Sequence, residues 1–167
     1  MPHNAAIAEF LAKYTPEIAA QLQAAREHLY EHFPRGFELV YDNYNALVFA
    51  FASSERASDA ILSVAGYPSW VTLFFAKGTS LPDPTKILEG AGTRIRSVRL
   101  NPPSRLHEPT VQALIHAAKD AARTQLHSAP RLVTLVKSVS AKQRAREPAA
   151  KKQVSTTKAS GSGASGA

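Results

Sequence analysis

The five residues His28-Leu29-Tyr30-Glu31-His32 spell H-x-x-E-H, an arrangement in which two imidazoles one helical turn apart hold zinc and a glutamate moves protons. Their neighbours argue against that chemistry. Ile18, Leu22, Ala25, Leu29 and Phe33 form an apolar stripe. At about 100° per residue His32 falls on the border of this stripe, His28 further round, and Glu31 on the far side. Hydrolytic zinc also needs a third protein ligand, and no other residue stands at a distinctive spacing from these two. The string therefore predicts boundary histidines on a helix flank, with no metal ligand, no cofactor and no catalytic group assigned. A serine hydrolase is no better supported. No Gly-x-Ser-x-Gly elbow occurs, and Ser54-Glu55-Arg56 and Ser104 read as polar loop residues. The chain has no Cys, which removes thiolate nucleophiles, thiolate zinc sites, iron-sulfur clusters and disulfides together.

Binding is better represented than catalysis. Tyr41, Asp42 and Tyr44 flank one predicted turn, and Tyr67 and Trp70 flank a second. An aromatic wall with a few polar tips is the usual lining of a small-ligand cleft, although the same residues also pack under loops at a sheet edge. Arg94, Arg96 and Arg99 fall within six positions, and Lys142 and Arg144 follow the predicted last strand. If that strand pairs near Arg96, the two basic groups converge on an anion. If it does not, they are solvated cations guarding sheet edges. Gly90-Ala91-Gly92 could add backbone N–H donors ahead of Arg96. The pair of glycines precedes a strand and lacks the Lys-Ser/Thr ending of a P-loop, so it reads first as a helix stop and tight turn. The candidate ligand-binding set is Tyr41, Asp42, Tyr44, Trp70, Arg96, Lys142 and Arg144.

The elements that would hold these residues follow from periodicity. Asn4 opens a short helix to about Lys13. Thr15-Pro16-Glu17 is a cap and first turn for the long helix carrying the apolar stripe, which Pro34 and Gly36 stop. Residues 37–42 and 46–52 then read as a hairpin, with Leu47, Phe49 and Phe51 pointing one way. Residues 59–65 and 70–76 read as a second hairpin around Gly66-Tyr67-Pro68-Ser69. Asp83 and Pro84 start a one- or two-turn helix ending at Gly90. Residues 94–100 form a strand, Pro109 opens a helix burying Val111, Leu114, Ile115, Ala118 and Ala122, and residues 132–139 form a last strand. The expected fold is α+β: an antiparallel sheet of five to six strands with N-terminal helices and one C-terminal helix on one face.

Charge divides the chain. Residues 1–130 hold 12 Lys/Arg and 12 Asp/Glu, whereas residues 131–167 hold 8 Lys/Arg against Glu147 alone, so the whole excess of +7 belongs to the C-terminal segment. Residues 149–167 are Lys-, Ser-, Gly- and Ala-rich and predict a disordered basic tail behind a domain spanning 1–148. The absence of a charged start followed by an apolar block predicts a cytoplasmic chain without a membrane anchor.

The runs Glu38-Leu39-Val40-Tyr41-Asp42-Asn43-Tyr44-Asn45-Ala46-Leu47, Tyr67-Pro68-Ser69-Trp70-Val71-Thr72-Leu73-Phe74-Phe75, Leu81-Pro82-Asp83-Pro84 and Leu88-Glu89-Gly90-Ala91-Gly92 ahead of Arg96 resemble the YdhG-like family of small bacterial α+β domains. The closing Val139-Ser140-Ala141-Lys142-Gln143-Arg144 is similar to the basic end of one branch of it. The resemblance covers most of residues 8–148 and implies the α+β fold. It implies little activity, because the family is largely uncharacterised. Some distant members are described as frataxin-like iron chaperones, which handle iron on an acidic helix face, and here the outer side of the long helix offers only Glu27 and Glu31. Three functions are therefore expected in descending order. The first is a non-catalytic binding or interaction module for a small anionic ligand or a protein partner. The second is a frataxin-like metal or iron carrier using Glu27, His28, Glu31 and His32. The third is a nucleic-acid-associated protein that holds phosphate non-specifically through the stretch from Lys142 to Lys158, with Lys142, Arg144, Arg146, Lys151, Lys152 and Lys158 as its cations. A homodimer through an open sheet edge is compatible with all three.

Overall fold

The structure, a computed structural model, describes residues 4–149. The predicted disordered tail lies almost wholly outside these residues. Helix α1 (Ala5–Leu11) is capped by the Asn4 side chain, which accepts from the N–H groups of Ala6 and Ile7. Helix α2 (Pro16–His32) starts with the Thr15 hydroxyl accepting from the Ile18 N–H and with Pro16 in its first turn. Gly36 turns the chain from α2 into the sheet at φ +116°, and a Cβ there would lie 2.6 Å from the carbonyl oxygen of Ala52. Both the backbone conformation and the space demand glycine.

Strands β1 (Phe37–Asp42), β2 (Leu47–Ala52), β3 (Ala60–Gly66) and β4 (Val71–Phe75) follow as a meander, then β5 (Arg96–Arg99). Helices α3 (Pro109–Ala121) and α4 (Arg123–Ser128) lead to β6 (Val133–Val139). The sheet order is β5-β4-β3-β2-β1-β6, with every pair antiparallel except β1–β6. That parallel pair departs from the all-antiparallel expectation. A strand reached through a two-helix crossover returns to the sheet in the direction of β1, as such connections do.

The predicted helix after Asp83 does not form. The Asp83 carboxylate accepts from the N–H groups of Ile87 and Leu88, both at 3.0 Å, while Lys86 adopts φ +54°. A left-handed residue breaks the helical path, and the resulting loop lets Glu89 exchange two 2.9 Å backbone hydrogen bonds with Ser97 at the edge of β5.

The core lies on one side of the sheet. Ile7, Phe10 and Leu11 of α1, Leu22 and Leu29 of α2, and Val111, Leu114 and Ile115 of α3 pack on Phe49, Phe51, Val64, Leu73 and Phe75. Phe49, Phe51 and Phe75 have no exposed surface, and each burial contributes about 1.5 to 3 kcal/mol. Gly66 lets α2 approach closely, since a Cβ there would lie 2.5 Å from Leu22 Cδ2. Among the described residues no helix is long and apolar enough to cross a membrane.

Candidate functional site

The seven candidate binding residues do not gather at one place. Because β6 joins β1, Lys142 and Arg144 emerge at the edge opposite Arg96, and the expected convergence of the two basic groups does not occur. Four strand spacings, about 19 Å, separate β1 from β5. The Arg96 guanidinium instead donates to the carbonyls of Gly92 (2.6 Å) and Ile95 (2.8 Å), fastening the turn whose N–H groups it was expected to complement. Trp70, in the β3–β4 turn, stacks on Tyr67 with ring centroids 5.3 Å apart.

Tyr41, Asp42, Tyr44, Lys142 and Arg144 do meet at one end of the sheet, but much of their chemistry is internal. Asp42 is fully buried and pairs with Arg146 at 2.8 Å and with Lys13 at 2.6 Å. Arg146 also donates to the Tyr14 hydroxyl and to the carbonyl of Asn43, and Gln143 Nε2 donates to the carbonyl of Asp42. The Arg144 N–H donates to the carbonyl of Tyr44. Residues 140–146 are thus a clasp over the β1–β2 turn. Arg146, which sequence alone groups with the phosphate-binding cations of the tail, is 3% exposed and committed to Asp42. Lys142 and Arg144 keep exposed side chains. The Tyr41 hydroxyl is buried without a partner among the described residues, and burial pushes its pKa up, so it stays a neutral phenol.

The helix layer holds the features that sequence reasoning missed. His28 and His32 are joined by His107, ahead of α3, and by His116 on α3. The four rings form a file, His107–His28–His32–His116, with successive centroids 5.0, 4.8 and 5.1 Å apart. Gln112 Nε2 donates to the carbonyl of Leu106 and lies 2.8 Å from His28 Nε2, which is also 3.3 Å from His32 Nε2. None of the salt bridges among the described residues pairs a histidine with a carboxylate. Burial first, then the charges of His28, His116 and Lys119, lower the His32 pKa below 6.5. The unfolded chain therefore binds more protons than the folded one once pH falls under 6.5, and stability present above that value is lost as pH drops toward the folded pKa. Urea midpoints should decline from pH 7 to 5, and His32→Gln should flatten the decline. An equal slope in both proteins would remove His32 as its source.

Beside His116 opens a cavity of about 620 Å³ between the C-terminal end of α2, α3 and α4. Phe33, Ala117 and Leu126 give it apolar walls, and Arg35, Lys119, Arg123, His116 and His127 bring basic groups. Asp120 is its one carboxylate and lies 3.5 Å from Arg123. Its basic groups come from Arg35, just after α2, and from residues 116–127, where His116, Lys119, Arg123 and His127 recur at steps of three and four. Among the described residues no three His, Asp or Glu side chains gather where they could hold a metal ion. No family model, curated protein or solved structure matches the chain.

Proposed function

We propose that this chain is a non-catalytic binding domain whose ligand is a small anion with an apolar body, held in the α2–α3–α4 cleft. The observation that carries the reading is the cleft's composition: apolar walls among three cations and two histidines, with a single carboxylate already engaged by Arg123. Such a volume is in the range of small-molecule sites, and an apolar lining with a few charged groups orients an amphipathic ligand. Arg35 and Arg123 offer fork-shaped donors suited to carboxylate or phosphate. On this reading the anion site lies in the helix layer rather than around Tyr41, Tyr44 and Arg96. The YdhG-like resemblance is compatible with it, and among the described residues no cluster of His, Asp or Glu side chains supports the iron-carrier reading.

Thermal-shift titration tests the proposal with phenyl phosphate, inorganic phosphate and phenol. A ligand that binds only the folded state raises its melting temperature. Phenyl phosphate should raise it most, because it uses both parts of the cleft, and Lys119→Ala combined with Arg123→Ala should remove the gain with little effect on the free protein. Stabilisation that persists in the double variant, or none by any of the three probes, would overturn the reading.

A further inference from the structure

All the helices pack against one face of the sheet, and the other face carries a second, smaller apolar cluster in which Leu39, Ala50 and Ala52 are buried. The register places Phe37, Leu39 and Tyr41 of β1 on that face, beside Val48, Ala50 and Ala52 of β2. Ser63 and Ala65 of β3, Thr72 and Phe74 of β4, and Ser97 and Arg99 of β5 continue the same rows. The strands carry only two carboxylates, Glu38 and Asp42, and both point to the helix side, buried in ion pairs. The other charged strand residues are the cations Arg96, Arg99 and Lys137. Arg99 lies on this second face at one edge of the sheet, and Lys137 is exposed on the opposite edge strand.

At the β4–β5 corner of this face an open cavity of about 300 Å³ is lined by Tyr67, Trp70, Phe74, Ser97 and Arg99, with Glu89 at its side. Tyr67 and Trp70 stack with 23° between their planes, and the Arg99 guanidinium carbon lies 4.4 Å from the Trp70 ring centroid. Arg99 makes no salt bridge among the described residues.

We propose that the β4–β5 corner of this sheet face binds single-stranded nucleic acid through the Tyr67–Trp70–Arg99 column. A guanidinium held over an indole retains N–H donors for phosphate, while the column extends by one more flat ring, an unpaired base. A duplex hides the faces of its bases and cannot use the column. An apolar protein partner has no need of the stacked cation, whose guanidinium makes no salt bridge among the described residues. This surface lies on the opposite side of the sheet from the cleft, so the two proposals stand or fall separately.

Trp70 is the only tryptophan of the chain, so its fluorescence reports this site alone. Full-length protein would be titrated at low salt with oligo(dT) of about twelve nucleotides, a length within single-strand site sizes. Saturable quenching of Trp70 is expected, with little quenching by a duplex of the same length. By anisotropy of a labelled oligonucleotide, Trp70→Ala and Arg99→Ala should each weaken binding about 5- to 100-fold, the range of one stacking contact, while Trp70→Phe keeps most of it. Urea midpoints of the variants establish that they fold. Should Trp70→Ala fail to fold, Arg99→Ala and Tyr67→Leu carry the test. Oligonucleotide binding without quenching would assign the contact to the C-terminal cations and overturn the proposal. Equal affinity of wild type and the folded variants, or no binding at all, would do the same.

Discussion

Arg26→Ala is expected to cost about 3 to 5 kcal/mol, the effect of leaving one partner of a buried ion pair alone. Arg26 is 3% exposed and Glu38 has no exposed surface. The pair is bidentate, with Nε to Oε2 at 2.8 Å and Nη2 to Oε1 at 2.7 Å. Thr134 Oγ1 donates to the same Oε1 at 2.8 Å, and the guanidinium also covers the Phe49 ring at 4.8 Å. One carboxylate thereby joins α2, β1 and β6. Removing Arg26 would strand the Glu38 charge in the core with a single hydroxyl donor. Arg26→Lys should recover only part of the loss, since an ammonium cannot reproduce the fork. Arg26→Met with Glu38→Leu should cost less than Arg26→Ala alone, because replacing both charges removes the desolvation penalty. Urea denaturation measures all three, the midpoint falling at constant slope. A loss under about 1 kcal/mol for Arg26→Ala, the scale of an exposed pair, would show that water reaches Glu38.

Legibility in the sequence followed the range of the interaction. The α2 stripe, the two hairpins and the caps at Asn4 and Thr15 were readable because neighbouring residues set them: the spacing of Ile18, Leu22, Ala25 and Leu29, and the alternation of Leu47, Phe49 and Phe51. The loop after Asp83 misled, since a good helix opening says nothing about the left-handed Lys86 or the ladder that Glu89 makes with Ser97. The partner of β6 was not readable, because β-branched residues suit either edge. The placement of Lys142 and Arg144 depended on that choice. Arg26 carried a faint signal, four residues after Leu22 on the buried stripe, as did Glu38 and Asp42, which alternate with apolar residues on β1. His107 and His116 gave none, because they reach the α2 histidines only after Gln112 and Leu106 dock α3.

Arg146→Ala is the second large effect, toward the lower end of the same range of about 3 to 5 kcal/mol. Asp42 would keep Lys13, but that partner reaches in from a half-exposed position, with 37% of its side chain accessible, whereas Arg146 is enclosed. The guanidinium also donates to the Tyr14 hydroxyl, which donates in turn to the Gly66 carbonyl at 2.6 Å and accepts from the Leu47 N–H at 2.9 Å. Losing Arg146 therefore loosens α1 from the turns at both Asn43 and Gly66. Lys13→Ala should cost roughly 1 kcal/mol or less, as partly exposed pairs do. The double variant should cost more than the sum of the two, since Asp42 would then be a buried charge with no cation, and a double-mutant cycle reads that excess directly. Additive losses would mean that Asp42 is solvated and that residues 140–146 merely lie along the β1–β2 turn. Coupling would make the clasp part of the folded domain, so that any shortening of the chain short of Arg146 carries the same penalty as the point substitution.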